Sequence, residues 1–158
     1  MSLAIEKRVR RQGRTLAAQA LYQAEITGGD PELAIDMVRR LLADEEGEAP
    51  DDAAEAWARV LVAGVLSRRM EIDQLIEGAS ANWRLDRMAR MDLQILRIGV
   101  AELLLSRRDV PIAVAIDEAI EVARVLGSEH AARFVNGILD AIAKHLTGHS
   151  GSPAEGAE

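Results

Sequence analysis

The sequence predicts an all-α fold, and three observations predict it. Between the glycine and proline breaks, nearly every stretch repeats apolar residues at intervals of three and four. β-Branched alternation over strand length does not occur. Hydrophobic residues make up 49% of the 158 positions but aromatics only 3%, namely Tyr22, Trp57, Trp83 and Phe134. Such a core is aliphatic and rich in alanine, which favours closely packed helices.

The first helix is expected over residues 5–26, stopped by Gly28 and Gly29. Asp30 caps a second helix with Pro31 in its first turn, and Leu33, Val38, Leu41 and Leu42 supply its apolar side. An acidic segment follows, with Asp44, Glu45, Glu46, Glu48, Asp51, Asp52 and Glu55 around Gly47 and Pro50, and reads as a solvated connector. A third helix begins near Asp52 and carries Trp57, Val60, Leu61, Val65 and Leu66. Its pattern continues through Met70, Ile72, Leu75 and Ile76 to Gly78, with a bend left open.

The most apolar section, from Leu85 to Leu105, is expected to be a central core helix or helix pair. Pro111 cannot sit inside a helix, so Asp109 and Val110 mark a break and a new helix runs to Leu126 and Gly127. Ser128 is placed to cap the last helix, Glu129 suits its positive end, and Lys144 and His145 suit its C-terminal end. Val135, Ile138, Leu139, Ile142 and Leu146 define its buried face. Gly137 in mid-helix suggests close approach of another backbone. Residues 1–147 are read as one domain, and 148–158, without an apolar face, as a disordered tail.

Composition narrows the function. With no cysteine, disulfides, thiolate metal sites and cysteine nucleophiles are excluded. No segment approaches 18 uninterrupted apolar residues and no signal-like run opens the chain, so a cytoplasmic protein without a membrane partner is expected. The histidines, His130, His145 and His149, form no Glu-x-x-His pair, and no glycine-rich phosphate loop follows a strand. Neither an enzyme nor a bound cofactor or metal is expected.

The net charge of −7 seems to argue against a nucleic-acid partner, but the charge is segregated. Residues 1–14 hold Lys7, Arg8, Arg10, Arg11 and Arg14 against Glu6 alone, a local +4 that leaves −11 for the other 144 residues. At about 100° per residue, with Arg14 at zero, Lys7 falls near +20°, Arg11 near +60° and Arg10 near −40°. Val9, Leu16 and Ala20 lie on the opposite side. The first helix therefore has a cationic and an apolar face. Tyr22 falls on the cationic side, where it can stack on a base or pack beneath a neighbouring helix.

Several elements recur together in order. They are Arg14 and Gln19-Ala20-Leu21-Tyr22, Ile95-Leu96-Arg97-Ile98, Glu102-Leu103-Leu104, the run from Val110 to Arg124 with Asp117-Glu118-Ala119, and Arg133-Phe134-Val135-Asn136-Gly137. In that arrangement the sequence strongly resembles the NusB family of transcription antitermination factors, from about Arg8 to Leu146. The resemblance implies a bundle of about seven helices in two packed helical subdomains. It also implies binding of single-stranded boxA RNA in nascent ribosomal transcripts, jointly with the ribosomal small-subunit protein NusE. The complex joins elongating RNA polymerase with other Nus factors and opposes termination.

The resemblance carries Lys7, Arg8, Arg10, Arg11 and Arg14 over as RNA contacts, in agreement with the helical wheel. It carries Phe134 over as an aromatic RNA contact. Phe134 lies about 90° from the centre of the last helix's buried face, so it either offers a ring face to a base or seals the core edge. The family often has acidic or polar residues where His130, Ala131 and Ala132 stand here. Residues that contact NusE are expected within 84–124, and a homodimer covering the RNA face is compatible with the sequence.

Other readings have discriminating features. A NusB-like domain attached to an RNA cytosine methyltransferase would bring a second domain with nucleophilic cysteines. A helix-turn-helix DNA-binding regulator would use Arg84, Arg87 and Arg90, but no compact turn precedes a basic recognition helix. A protein interaction scaffold would bind no nucleic acid.

Overall fold

Gly28 sets the first corner: it takes φ 72° and its N–H closes on the Ala24 carbonyl, ending α1 (Leu3–Thr27). Asp30 then accepts a hydrogen bond from the Glu32 N–H and opens α2 (Pro31–Glu46), as its sequence predicts. The computed structural model describes residues 2–81, 83–105 and 110–149. The remaining helices are α3 (Asp52–Ser67), α4 (Arg69–Ala79), α5 (Arg90–Leu105), α6 (Ile112–Leu126) and α7 (Ala131–His149), with a 3-10 turn at Leu85–Arg87. Among the described residues there is no strand. No helix among them is long and apolar enough to cross a membrane.

The open question of a bend is settled at Arg68, where φ −125° and ψ 24° separate α3 from α4. Helices α1 to α3 pack on one another and α4 to α7 form a second group. A shared core joins them, because α1 lies against α5 and α6 as well as α2 and α3. Small residues permit this crowding. A Cβ on Gly13 would stand 2.8 Å from both the Ala54 carbonyl oxygen and Trp57 Cδ1. Ala17, Ala54 and Ala58 are fully buried beside this crossing.

Four local expectations are corrected. Leu33 and Leu41 are 69% and 51% exposed, because α2 turns Ala34, Ile35 and Val38 inward instead. Nothing would meet a Cβ on Gly137, so no backbone approaches it; the close α5–α7 approach is at Gly99, under Leu139. Ser128 does not cap α7 with its side chain, since its hydroxyl donates to Asp92 Oδ2 at 2.6 Å. Helix α7 continues through Gly148 to His149, past the expected boundary at 147. Residues 150–158, most of the expected tail, and Asp109 lie outside the described residues.

Candidate nucleic-acid interface

The cationic side of α1 divides into a buried part and an exposed rim. Arg14 is 3% exposed. It donates through Nε to Glu102 Oε2 at 2.8 Å and through Nη2 to Glu102 Oε1, and its Nη1 lies 3.7 Å from Glu118 Oε2. Arg11 reaches Glu118 with two parallel hydrogen bonds of 3.0 Å, the bidentate geometry that strengthens a charge-assisted pair. Lys7 Nζ stands 4.0 Å from the same carboxylate. Both glutamates are buried, Glu102 on α5 and Glu118 on α6. The sector centred on Arg14 is thus an ion-pair seam between α1, α5 and α6. A carboxylate set among apolar neighbours in a helix, as at Glu102 between Ala101 and Leu103, is the sequence signal for such a seam.

The seam couples folding to pH. Burial pushes the Glu118 carboxyl up, but hydrogen bonds and charge from Arg11, with the charges of Arg14 and Lys7, outweigh it and hold the group below its usual range. The Glu118 hydrogen bond, with its charge, raises the Arg11 guanidinium further. A carboxylate lowered in the folded state contributes stability that is fully present above its unfolded pKa, about 4.3. That contribution is lost as pH falls through the folded value. Thermal melts taken from about pH 6 down to about pH 3 should show Glu118→Gln less stable than wild type at the upper end, with a smaller fall towards acid. Parallel pH profiles would show that Glu118 carries no such coupling.

The rim is what a ligand can reach. Lys7 and Arg8 have side chains 65% and 67% exposed. Arg10 lies over Trp57, its guanidinium carbon 4.7 Å from the ring centroid, with Glu6 at 3.6 Å. The Arg10 Nη1 and Trp57 Nε1 atoms are buried without a protein partner. Clefts flank Arg10 on both sides: one of about 300 Å³ beside Leu3, Pro111 and Val114, the other beside Val9, Trp57 and Val60. Tyr22 is half-buried further along α1.

Phe134 occupies a different place. It is half-buried on the first turns of α7 and lines a cleft of about 300 Å³ with Trp83, Arg87, Met88 and His130. Trp83 is 54% exposed. Buried Asp92 holds this cleft together by accepting from both the Ser128 N–H at 3.0 Å and its hydroxyl, which pins the α6–α7 turn to the start of α5. Trp83 is marked in the sequence only by its position, a large ring in a polar connection between helices. Arg84, Arg87 and Arg90 do not form a recognition helix: Arg84 precedes the 3-10 turn, Arg87 ends it, and Arg90 pairs with Glu25 at 3.0 Å. Glu102 at the seam and Asp92 at the cleft lie ten residues apart on α5, about 15 Å of helix, so α5 sets the spacing of the two sites.

Known proteins share this fold. A family model described as the NusB family matches residues 11–144. The transcription antitermination protein NusB of Myxococcus xanthus is 48% identical over 137 residues, 87% of this chain and 96% of its own. That of Geobacter sulfurreducens is 47% identical over 137 residues, 87% of this chain and 95% of its own. T. maritima NusB superposes with a TM-score of 0.71 at 37% identity, covering 85% of this chain and 90% of that one. A chain from the crystal structure of antitermination factors NusB and NusE in complex with double-stranded RNA gives 0.72 at 30% identity, covering 87% and 98%. Sequence, helix order and three-dimensional packing agree over most of the molecule, and the chain belongs to the NusB family.

Proposed function

We propose that this chain is a transcription antitermination factor that binds single-stranded boxA RNA of nascent ribosomal transcripts together with NusE. The complex acts on the RNA polymerase elongation complex with other Nus factors. The observation that carries this reading is the likeness, across 87% of the chain, to a chain of the structure holding NusB, NusE and RNA. That structure holds double-stranded RNA; the reading for a single strand rests on the ring faces of Phe134 and Trp83, which suit unstacked bases.

Lys7, Arg8 and Arg10 contact phosphates, Arg11 lends charge from its pair with Glu118, and Arg14 acts by holding α1 in place. Phe134 and Trp83 stack on bases at the cleft beside the start of α5, and Tyr22 borders the path. NusE docks within 84–124. The protein works without catalysis, in the cytoplasm, as one domain that closes with α7.

The test compares a boxA-like single-stranded RNA, its scrambled form and duplex DNA over a salt series, with and without NusE. The boxA-like RNA should bind most tightly, more so with NusE present. Equal affinity for all three would sink the reading. Phe134→Ala and Trp83→Ala should each weaken RNA binding about fivefold, the lower end of what one stacked base contributes. Retention of full affinity in both would remove the cleft from the RNA path.

A further inference from the structure

The acidic segment after α2 is not a free connector, and its position raises a question that RNA binding alone does not answer. Gly47, at φ 76°, turns the chain at the end of α2. Arg39 then holds the segment from within: its Nε and Nη2 donate to the Pro50 carbonyl at 3.2 and 2.9 Å, and its remaining bonds go to Asp52 and Glu55. Held there, the segment forms one wall of a cleft of about 290 Å³ whose other wall is α1. Arg8 and Arg11 stand on the α1 side, and Glu46, Glu48 and Asp51 on the other. Arg11 is committed to Glu118, and Arg8 shares the cleft with three carboxylates, of which Asp51 pairs with it. The mouth of the cationic rim is therefore already supplied with counter-charge.

Asp51 shows which way this segment is committed. It occupies the N-cap position of α3, where an aspartate ordinarily accepts a hydrogen bond from the first helical N–H groups. No such side-chain bond is made. The carboxylate instead stands 3.7 Å from Arg8 Nη2. Asp51 thus has two partners within reach, the α3 N-terminus and Arg8, and takes the arginine.

We infer that Asp51, supported by Glu46 and Glu48, is a specificity-determining counter-charge that a ligand phosphate must displace from Arg8. This rests on the reading of α1 as the phosphate-binding element. A polyanion that offers charge alone exchanges one anion for another at Arg8 and gains little. A strand that also stacks its bases on the aromatic cleft has a second source of affinity and can displace the carboxylate. Asp51, once displaced, can cap α3, which lowers the cost of release. The acidic segment therefore weakens indiscriminate polyanion binding more than binding of the proper strand.

The experiment measures affinity of wild type, Asp51→Asn and Glu46→Gln/Glu48→Gln for three probes at low and high salt. The probes are a boxA-like single-stranded RNA, a scrambled RNA of equal length and inorganic polyphosphate. Asparagine keeps the capping ability while removing the charge. Both variants should bind polyphosphate and scrambled RNA about two- to fivefold more tightly at low salt, the range of an exposed ion pair, with the gain fading at high salt. The ratio of boxA-like to scrambled affinity should narrow. In an Arg8→Ala background the gain from Asp51→Asn should vanish.

Unchanged or weaker polyanion binding by Asp51→Asn overturns the inference, as does a gain that survives in Arg8→Ala. The two readings fail separately. Wild type that ignores RNA while Asp51→Asn tightens on polyphosphate supports the counter-charge and removes the RNA function. RNA binding that depends on Lys7 and Arg8 but is indifferent to Asp51→Asn keeps the function and overturns the counter-charge.

Discussion

Arg14→Glu should unfold the helical body, because it would place three carboxylates, at positions 14, 102 and 118, where the protein now holds a buried guanidinium between two. Arg14→Ala already leaves Glu102, with its side chain 1% exposed, without its bidentate partner. Removing one member of a buried pair costs about 3–5 kcal/mol. For a chain of this size that lowers Tm by on the order of 10 °C, and the charge reversal should exceed it. A paired replacement, Arg14→Met with Glu102→Leu, should recover most of the loss, since apolar groups of similar volume need no compensation. Thermal melts followed by circular dichroism decide the matter. A melting point for Arg14→Glu within a few degrees of wild type would show that the seam contributes little. The same geometry removes Arg14 from any charge-reversal test of RNA binding, because its loss would be read as lost affinity when it is lost folding.

The second large effect belongs to the rim. Lys7→Glu, Arg8→Glu and Arg10→Glu combined should reduce RNA affinity about 100-fold or more at low salt while leaving the helical signal intact. All three side chains reach solvent to some degree and none is a bidentate partner of a buried acid. Three lost phosphate contacts should also flatten the slope of log affinity against log salt by about 2, at about 0.7 per contact for a single strand. Because Arg10 also lies over Trp57, the Lys7→Glu/Arg8→Glu pair serves as the check that the loss is electrostatic. Undiminished RNA binding in a folded triple variant would mean that the end of α1 is not the contact.

Much of the architecture is legible in the sequence. Period alone placed the helices, and the punctuation was local chemistry: Gly28 in the left-handed region, Asp30 with Pro31, Pro111 and Gly127. The errors of face on α2 and α1 share one cause. A helical wheel states which residues lie on the same side of a helix, and says nothing of what covers that side. On α2 the wheel admitted Leu33 and Leu41 to the core, and packing chose Ala34 and Ile35. On α7 the cost of a mid-helix glycine pointed to crowding at Gly137, and the crowded glycine is Gly99 on the facing helix. On α1 the wheel joined Lys7, Arg10, Arg11 and Arg14 as one solvent face, although α1 is flanked on both sides.

The sequence by itself determined the helix order, the segregation of charge into a basic start and an acidic remainder, and the family. These follow from short-range periodicity, turn chemistry and residue order, which the chain carries locally. Only the tertiary structure decided what each charge does. It brought Glu102 and Glu118, 88 and 107 residues from their arginine partners, onto the middle of the cationic stripe. It left Lys7 and Arg8 open to solvent and Arg10 over Trp57, set Trp83 beside Phe134, and turned Asp51 towards Arg8. Ion pairs form at short range in space between residues distant in sequence, so the sign of a charge is written in the chain and its availability is settled by the fold.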